Sequence, residues 1–558
     1  MHISTVRYTL QDYDHLLLVA SWGLPKDYKK AQYSIEVEKH HEKGYERAEI
    51  SISNSRKLYC SSTAAIRDLL EKKLGVRNLD LLVFVQDTIL MRKVIGSEHL
   101  YFDKEYSRHE LERDLFAELY SSNEEVAREL DIYEAENYSK FVKFVPGVIA
   151  ARKINIRYSW REKYIYDVLK EFIVFYTYKK LISTAENAKR VAVLLDTTHG
   201  INYFVTALSD GVLVATTLYA LNRFVNKFIN NKPQLDELII YHYNSDPIYP
   251  SRRDEHSLTI HLLSRIPVVK KGKISLARIR SVIEEPVSIE GFKTLTNKLS
   301  CVWRDINWKR IIWTLQCFSR GLIVWSLRIA IDISPLPQEK EIENIIKNIK
   351  LSFRKDVKEY KIKYVYGDKK PISPIIEYLT LTRLLDNLAK KIEYDKYDEV
   401  CGYIAEIIDY LKEDSMLRKE LKGLINYLAK LKDTIKSRGK IVCLNVKSLK
   451  DAIETLYDSP YLDVNLHELK VLEEYLLGKR EIRWEQIFDN IYREPKTKQA
   501  FFIDQGDTKT IISTPDSVET RDFYAHVGLA YGLPWFSLGM HDKVLLCLGD
   551  YDKVIRHL

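Results

Sequence analysis

Val191-Ala-Val-Leu-Leu-Asp196-Thr197-Thr198-His199-Gly200-Ile201-Asn202 sets five apolar residues directly before a run of small polar ones. The apolar half reads as a strand covered on both faces, as strands of a parallel sheet are. Helical periodicity begins at Ile201 and continues to about Phe228. A strand that runs straight into a helix is half of a β-α-β unit, and in open parallel sheets ligands bind beyond the C-terminal strand ends. Asp196, Thr197, Thr198, His199, Gly200 and Asn202 fall at that place. Backbone N–H groups, two hydroxyls and an imidazole gathered there suit an anionic ligand such as a phosphodiester.

The same pattern extends outward. His15–Ser21 and Leu79–Val85 are further continuous apolar runs, and Leu238–Tyr243 reads as another strand. Helices fit between them at Ser62–Lys73 and Glu162–Leu181. The alternation predicts an α/β, Rossmann-like N-terminal domain over residues 1–270. A Glu-rich helical stretch at about 98–139 reads as an insertion on it. Ser21, Trp22 and Gly23 follow the first strand and form a second candidate ligand loop, closed by Pro25. Ser61, Ser62 and Thr63 open a helix and form a third, although the same trio suits ordinary helix capping. Neither a Gly-x-Gly-x-x-Gly after the first strand nor a Gly-x4-Gly-Lys-Ser/Thr occurs, which argues against a dinucleotide enzyme and a nucleoside-triphosphate motor.

Composition bounds the rest. With 86 Lys and Arg against 78 Asp and Glu, the formal net charge of +8 permits a polyanionic ligand without demanding one. The 37 Tyr and four Met, with abundant Ile and Lys, read as a thermophile's composition. Six cysteines are scattered with no zinc-type spacing, which predicts reduced thiols and no metal site. No signal-peptide pattern opens the sequence, so the expected location is cytoplasmic. Ile311–Ile333 is the most membrane-like stretch, but Arg320 and Arg328 interrupt it and a buried helix is expected. The His pairs at 40–41 and 256/261 and the lysine-rich stretches Lys26–Lys30 and Lys340–Lys363 read as solvated or structural.

Residues 271–305 read as a mixed connection, and 306–558 as a mainly α-helical domain, with helical period at 308–333, 338–362, 372–393, 396–413, 415–437, 446–457 and 465–478. Thr514-Pro515-Asp516 then starts a helix that carries Arg521-Asp522-Phe523-Tyr524-Ala525-His526. Arginine holds phosphate oxygens in a two-pronged grip, and histidine moves protons near neutral pH. Attack of a ribose 2′-OH on its own phosphodiester needs both and needs no metal. Five residues apart on one helix, the two side chains diverge by about 140°. Two such helices across a two-fold axis would bring both pairs onto one phosphate, so the spacing favours a dimer.

Together, a strand ending in Asp196-Thr-Thr-His-Gly-Ile-Asn202, a first-strand loop with Trp22-Gly-x-Pro25, and a C-terminal Arg521-x4-His526 resemble the Csx-type CARF–HEPN ribonucleases of type III CRISPR systems. The resemblance implies a CARF domain that binds cyclic oligoadenylate and a HEPN domain that degrades single-stranded RNA without target specificity. It implies an assembly of homodimers and no membrane partner. The implied catalytic residues are Arg521 and His526, with Asp522 standing where the family often has Asn. The ligand loops map onto Ser21–Pro25 and Asp196–Asn202. No cofactor is implied beyond the activator, for which cyclic tetraadenylate is the expected ring. Two alternatives stay open at this point: a non-catalytic sensor of a nucleotide messenger, and a pocket that cleaves its own ring through His199, Thr197 and Thr198.

Overall fold

The computed structural model describes residues 8–147 and 165–275 apart from short stretches, most of 305–393, then 442–456, 500–505, 508–513, 535–540 and 543–548. Its N-terminal unit is built on eight strands: β1 (His15–Trp22), β2 (Ala31–His41), β3 (Gly44–Ser51), β4 (Leu79–Gln86), β6 (Val142–Val145), β7 (Arg190–His199), β8 (Glu237–Ser245) and β9 (His256–Val269). They form one sheet in the order β3-β2-β9-β8-β7-β1-β4-β6. Strands β4, β1, β7 and β8 are mutually parallel, as the apolar runs predict, and β6, which the sequence reading did not include, joins them in parallel beside β4. The other three strands make the sheet mixed: β9 is antiparallel to β8, and β3 to β2. β1 lies in the middle of the five parallel strands, with all eight of its residues buried. Each fully buried leucine there, Leu16, Leu17 and Leu18, contributes about 1.5–3 kcal/mol relative to exposure.

Helix α1 (Ser62–Asp68), which continues in a wider turn to Lys73, packs beside β1 and β7. The insertion supplies α2 (Arg108–Ser122) and α3 (Glu124–Glu129). Helices α4 (Ile165–Thr184) and α5 (Asn202–Asn230) pack against each other and on the sheet. Among the described residues, Tyr203–Asn230 is long and apolar enough to cross a membrane. Most of its apolar window is buried inside the protein, where Leu218, Tyr219 and Leu221 join the core.

Beyond residue 305 the structure differs from an uninterrupted series of helices. The 308–333 pattern is two helices, α6 (Trp308–Ser319) and α7 (Ile323–Ile331), turning at Arg320. The 338–362 pattern is α8 (Glu339–Lys347) followed by a hairpin, β10 (Lys350–Asp356) and β11 (Glu359–Val365). That hairpin pairs with β5 (Glu105–Ser107) of the insertion in a three-stranded sheet. The two stretches left without a role by the sequence therefore hold each other. Helix α9 (Ile375–Ile392) packs on α4 and α5 of the N-terminal unit and on α6 and α7. Helix α10 (Val446–Leu456) follows β12 (Val442–Asn445).

β12 heads a five-stranded antiparallel sheet with β13 (Ala500–Gln505), β14 (Thr508–Ser513), β15 (Trp535–Met540) and β16 (Lys543–Leu548). This strand content replaces part of the expected helical domain. Cys443 is disulfide-bonded and stands opposite Cys547 across the β12–β16 ladder, so the expectation of reduced thiols fails there. Cys60 and Cys317 are free and buried. The helices expected at 396–413 and 415–437, most of that at 465–478, and the Arg521-Asp522…His526 segment lie outside the described residues.

Candidate ligand site

The candidate site forms where the C-terminal ends of β1 and β7 meet the start of α1. β1 and β7 are paired up to Trp22 and His199, with a register shift between Ala20 and Trp22. Such a bulge re-aims the side chain it displaces. Here it leaves the hydroxyl of Ser21, 1% exposed, without a hydrogen-bond partner. Gly23 N–H donates to His199 O at 2.8 Å, and a Cβ on Gly23 would lie 2.9 Å from that oxygen. The close crossing of the two strand ends therefore requires glycine.

Asp196 ties the three predicted loops together. Its Oδ2 accepts from Ser62 Oγ and Thr63 Oγ1, each at 2.8 Å, and its Oδ1 accepts from Thr198 N–H at 3.1 Å. Trp22 Nε1 donates to Thr63 Oγ1 at 3.1 Å. Ser62 N–H donates to His199 Nε2 at 3.2 Å, so that imidazole carries its proton on Nδ1. Ser61 is the N-cap, its hydroxyl accepting from Thr63 N–H. The capping alternative thus holds for Ser61, while Ser62 and Thr63 spend their hydroxyls on Asp196.

The structure also redistributes the expected donors. β7 runs on through His199, so Thr197–His199 form a strand end rather than a loop. Thr197 points into the sheet, donating to Tyr243 O at 3.0 Å beside His242 Nε2 at the same distance. Thr198 Oγ1 is buried and has no hydrogen-bond partner. Asn202 begins α5; its side chain and Gly200 lie outside the described residues. The first N–H groups of α1 are already taken by side chains, so they are not free for an anion. Among the described residues, two buried side-chain donors at the ends of β1 and β7 lack a partner, Ser21 Oγ and Thr198 Oγ1.

Three contributors escaped the sequence reading. Tyr28, inside the lysine-rich stretch read as solvated, stacks on His199 with centroids 4.0 Å apart and planes 21° off parallel. Its hydroxyl accepts from Gly23 N–H at 3.1 Å. Glu129, in the insertion, accepts from Cys60 N–H at 2.6 Å and Ser61 N–H at 3.2 Å. His242 meets Thr197 from β8. Only the alternation of the strands hinted at His242; nothing local marks Tyr28 or Glu129.

Electrostatics follow from burial. Burial pushes the His199 imidazole down to about 4, against the opposing pull of Asp196, so it is neutral at pH 7. Burial lowers His242 as well. Burial drives the Glu129 carboxyl up to about 7, the two backbone donors opposing it. Among the described residues, no group of three His, Cys, Asp or Glu side chains gathers to hold a metal ion. The site offers neutral donors and an aromatic face, which fits the sugar, base and phosphate-oxygen edges of a nucleotide better than a bare anion.

Residues 17–247 match the family model described as CRISPR system endoribonuclease Csx1, CARF domain. The N-terminal unit is a CARF domain. The match covers less than half of the 558 residues and stops before α6. It contains every described residue of the CARF-domain site, including Tyr28, Glu129 and His242. No curated protein matches the chain.

Proposed function

We propose that the CARF domain binds cyclic oligoadenylate, with cyclic tetraadenylate as the expected ring, at the ends of β1 and β7. The bound messenger then activates a metal-independent ribonuclease in the C-terminal region, centred on Arg521 and His526 with Asp522 beside them. The protein would act in the cytoplasm on single-stranded RNA, as a homodimer or an assembly of dimers, in type III CRISPR antiviral defence. The observation that carries this reading is the family match over the segment that holds the site. The unpartnered hydroxyls of Ser21 and Thr198 support it, because a buried polar group left unsatisfied costs about 1–3 kcal/mol that an incoming ligand oxygen would recover.

In this mechanism Thr198 and Ser21 donate to the ligand, and His199 holds the Ser62 end of α1 against the strand ends. Arg521 would stabilise the charge of the pentacoordinate phosphorane while His526 moves the proton. Products would be a 2′,3′-cyclic phosphate and a 5′-OH. The test is incubation of the purified protein with labelled RNA in EDTA, with and without cyclic tetra- and hexaadenylate. Ligand-dependent cleavage is the expected result; RNA left intact under all conditions overturns the nuclease half. Replacing Thr198 and His199 together by Ala is expected to raise the ligand concentration needed for activation and leave basal cleavage unchanged. An activation curve that does not move would place the messenger elsewhere.

A further inference from the structure

The β10–β11 hairpin lies far along the chain from the CARF sheet, yet it closes on the sheet at the end where the candidate site lies. Tyr364 of β11 is 5% exposed. Its hydroxyl donates to Asp87 Oδ1 at 2.6 Å and accepts from Gly147 N–H at 2.9 Å, with Gly147 O 3.2 Å away. Asp87 directly follows β4 and is fully buried. Its neighbour Gln86 ends β4 and accepts from Tyr203 Oη at 3.0 Å. Tyr203 stands in the first turn of α5, four residues beyond His199. Gly147 is pressed onto Gln86: a Cβ there would lie 2.5 Å from Gln86 Cβ. Tyr203, Gln86, Gly147, Asp87 and Tyr364 thus form one continuous chain of contacts from the start of α5 to a hairpin outside the family match.

We infer that Tyr364 is the positioning residue that couples the candidate ligand site to the C-terminal region. The inference rests on the ligand reading given above. A ligand that shifts the end of β7 and the first turn of α5 displaces the Tyr203 hydroxyl. Gln86 must answer, because Gly147 leaves it no slack, and Asp87 follows through the main chain. Tyr364 then loses or re-aims the hydrogen bond that anchors β11. Such bonds between buried groups are made or lost, so they pass on discrete rather than graded changes. The hairpin moves as a unit, since Leu351 and Phe353 of β10 are fully buried and Phe353 packs on Tyr101 and Tyr106 of the insertion. β11 leads within ten residues to α9, which packs on both regions.

Amide hydrogen exchange on the full chain tests this, with and without cyclic tetra- and hexaadenylate, in the wild type, Tyr364→Phe and Tyr203→Phe. Ligand affinity is measured by calorimetry alongside. Tyr203→Phe acts at the partly exposed far end of the relay and keeps the test valid should Tyr364→Phe fold poorly. The expected result is a ligand-dependent change at residues 350–365 in the wild type that disappears in either variant, while affinity stays within about threefold. A hairpin response that persists in both variants overturns the inference, as does a wild type that binds ligand with no response at 350–365. Failure of both rings to bind the wild type removes the ligand reading itself, and the relay with it.

Discussion

Asp196 is the residue on which the site turns. Its carboxylate, 1% exposed, collects two hydroxyls and a backbone N–H from two separate elements. Asp196→Ala strands all three donors in a buried place, and a loss of about 2–5 kcal/mol is expected, read as a lower urea midpoint. A midpoint within error of wild type would mean that the donors find other partners. His199 gives a pH signature. Its folded-state pKa of about 4 lies below the ordinary 6.5, so the native protein binds fewer protons than the unfolded chain between those values. The stability it contributes is present above pH 6.5 and is lost as pH falls toward 4. Urea midpoints of the wild type should therefore drop more steeply from pH 7 to 4 than those of His199→Asn; parallel curves would show that His199 does not titrate in a buried state.

At the scale of elements, α1 is held at its start by a helix from the insertion. Glu129 of α3 caps Cys60 and Ser61, and burial raises its carboxyl from 4.5 to about 7. The sign is opposite to that of His199. The native state binds the extra proton, so this component of stability is present below pH 4.5 and is lost as pH rises through 7. Glu129→Gln keeps an acceptor and removes the titration. Its stability relative to wild type is expected to improve between pH 5 and pH 8, measured as the difference in urea midpoint at the two values. A difference that stays constant would show that Glu129 is ionised throughout. The insertion, which had no assigned role in the sequence, therefore serves the site through α3 and the hairpin through β5.

For the whole molecule, the central expectation is division of labour. Under the proposed function, ligand contact would belong to the CARF domain and chemistry to the segment around Arg521 and His526. His526→Ala is expected to abolish RNA cleavage, with ligand affinity and dimerisation retained, and wild-type cleavage is expected to continue in excess EDTA. Cleavage by purified His526→Ala at the wild-type rate would move the active site elsewhere, and so would a strict need for magnesium or manganese. α9 contacts α4 and α5 on one side and α6 and α7 on the other, which makes it one of the elements through which the two halves share a core.

What the sequence determined by itself is the parallel heart of the N-terminal unit. β1, β4, β7 and β8 are continuous apolar runs because both faces are covered, and that signal is local. The rule that ligands bind beyond the C-terminal ends of parallel strands was enough to bring Ser21–Gly23 and Asp196–His199 to one end of the sheet, while Ser61–Thr63, read only as hydroxyls opening a helix, reach that end through Asp196. Only the tertiary structure decided the rest. β2 alternates buried Ala31, Tyr33, Ile35 and Val37 with more polar residues, and its place between β9 and β3 depends on pairing across distant parts of the chain. Whether a hydroxyl faces a ligand or a neighbour depends on register: Thr197 turns to Tyr243 while Thr198, one residue on, turns to the other face. The union of 105–107 with 350–356, the stacking of Tyr28 on His199 and the reach of Tyr364 to Asp87 join residues far apart in sequence. Such contacts leave no periodic trace, because they are fixed by the closure of loops around a core that the local pattern had already specified.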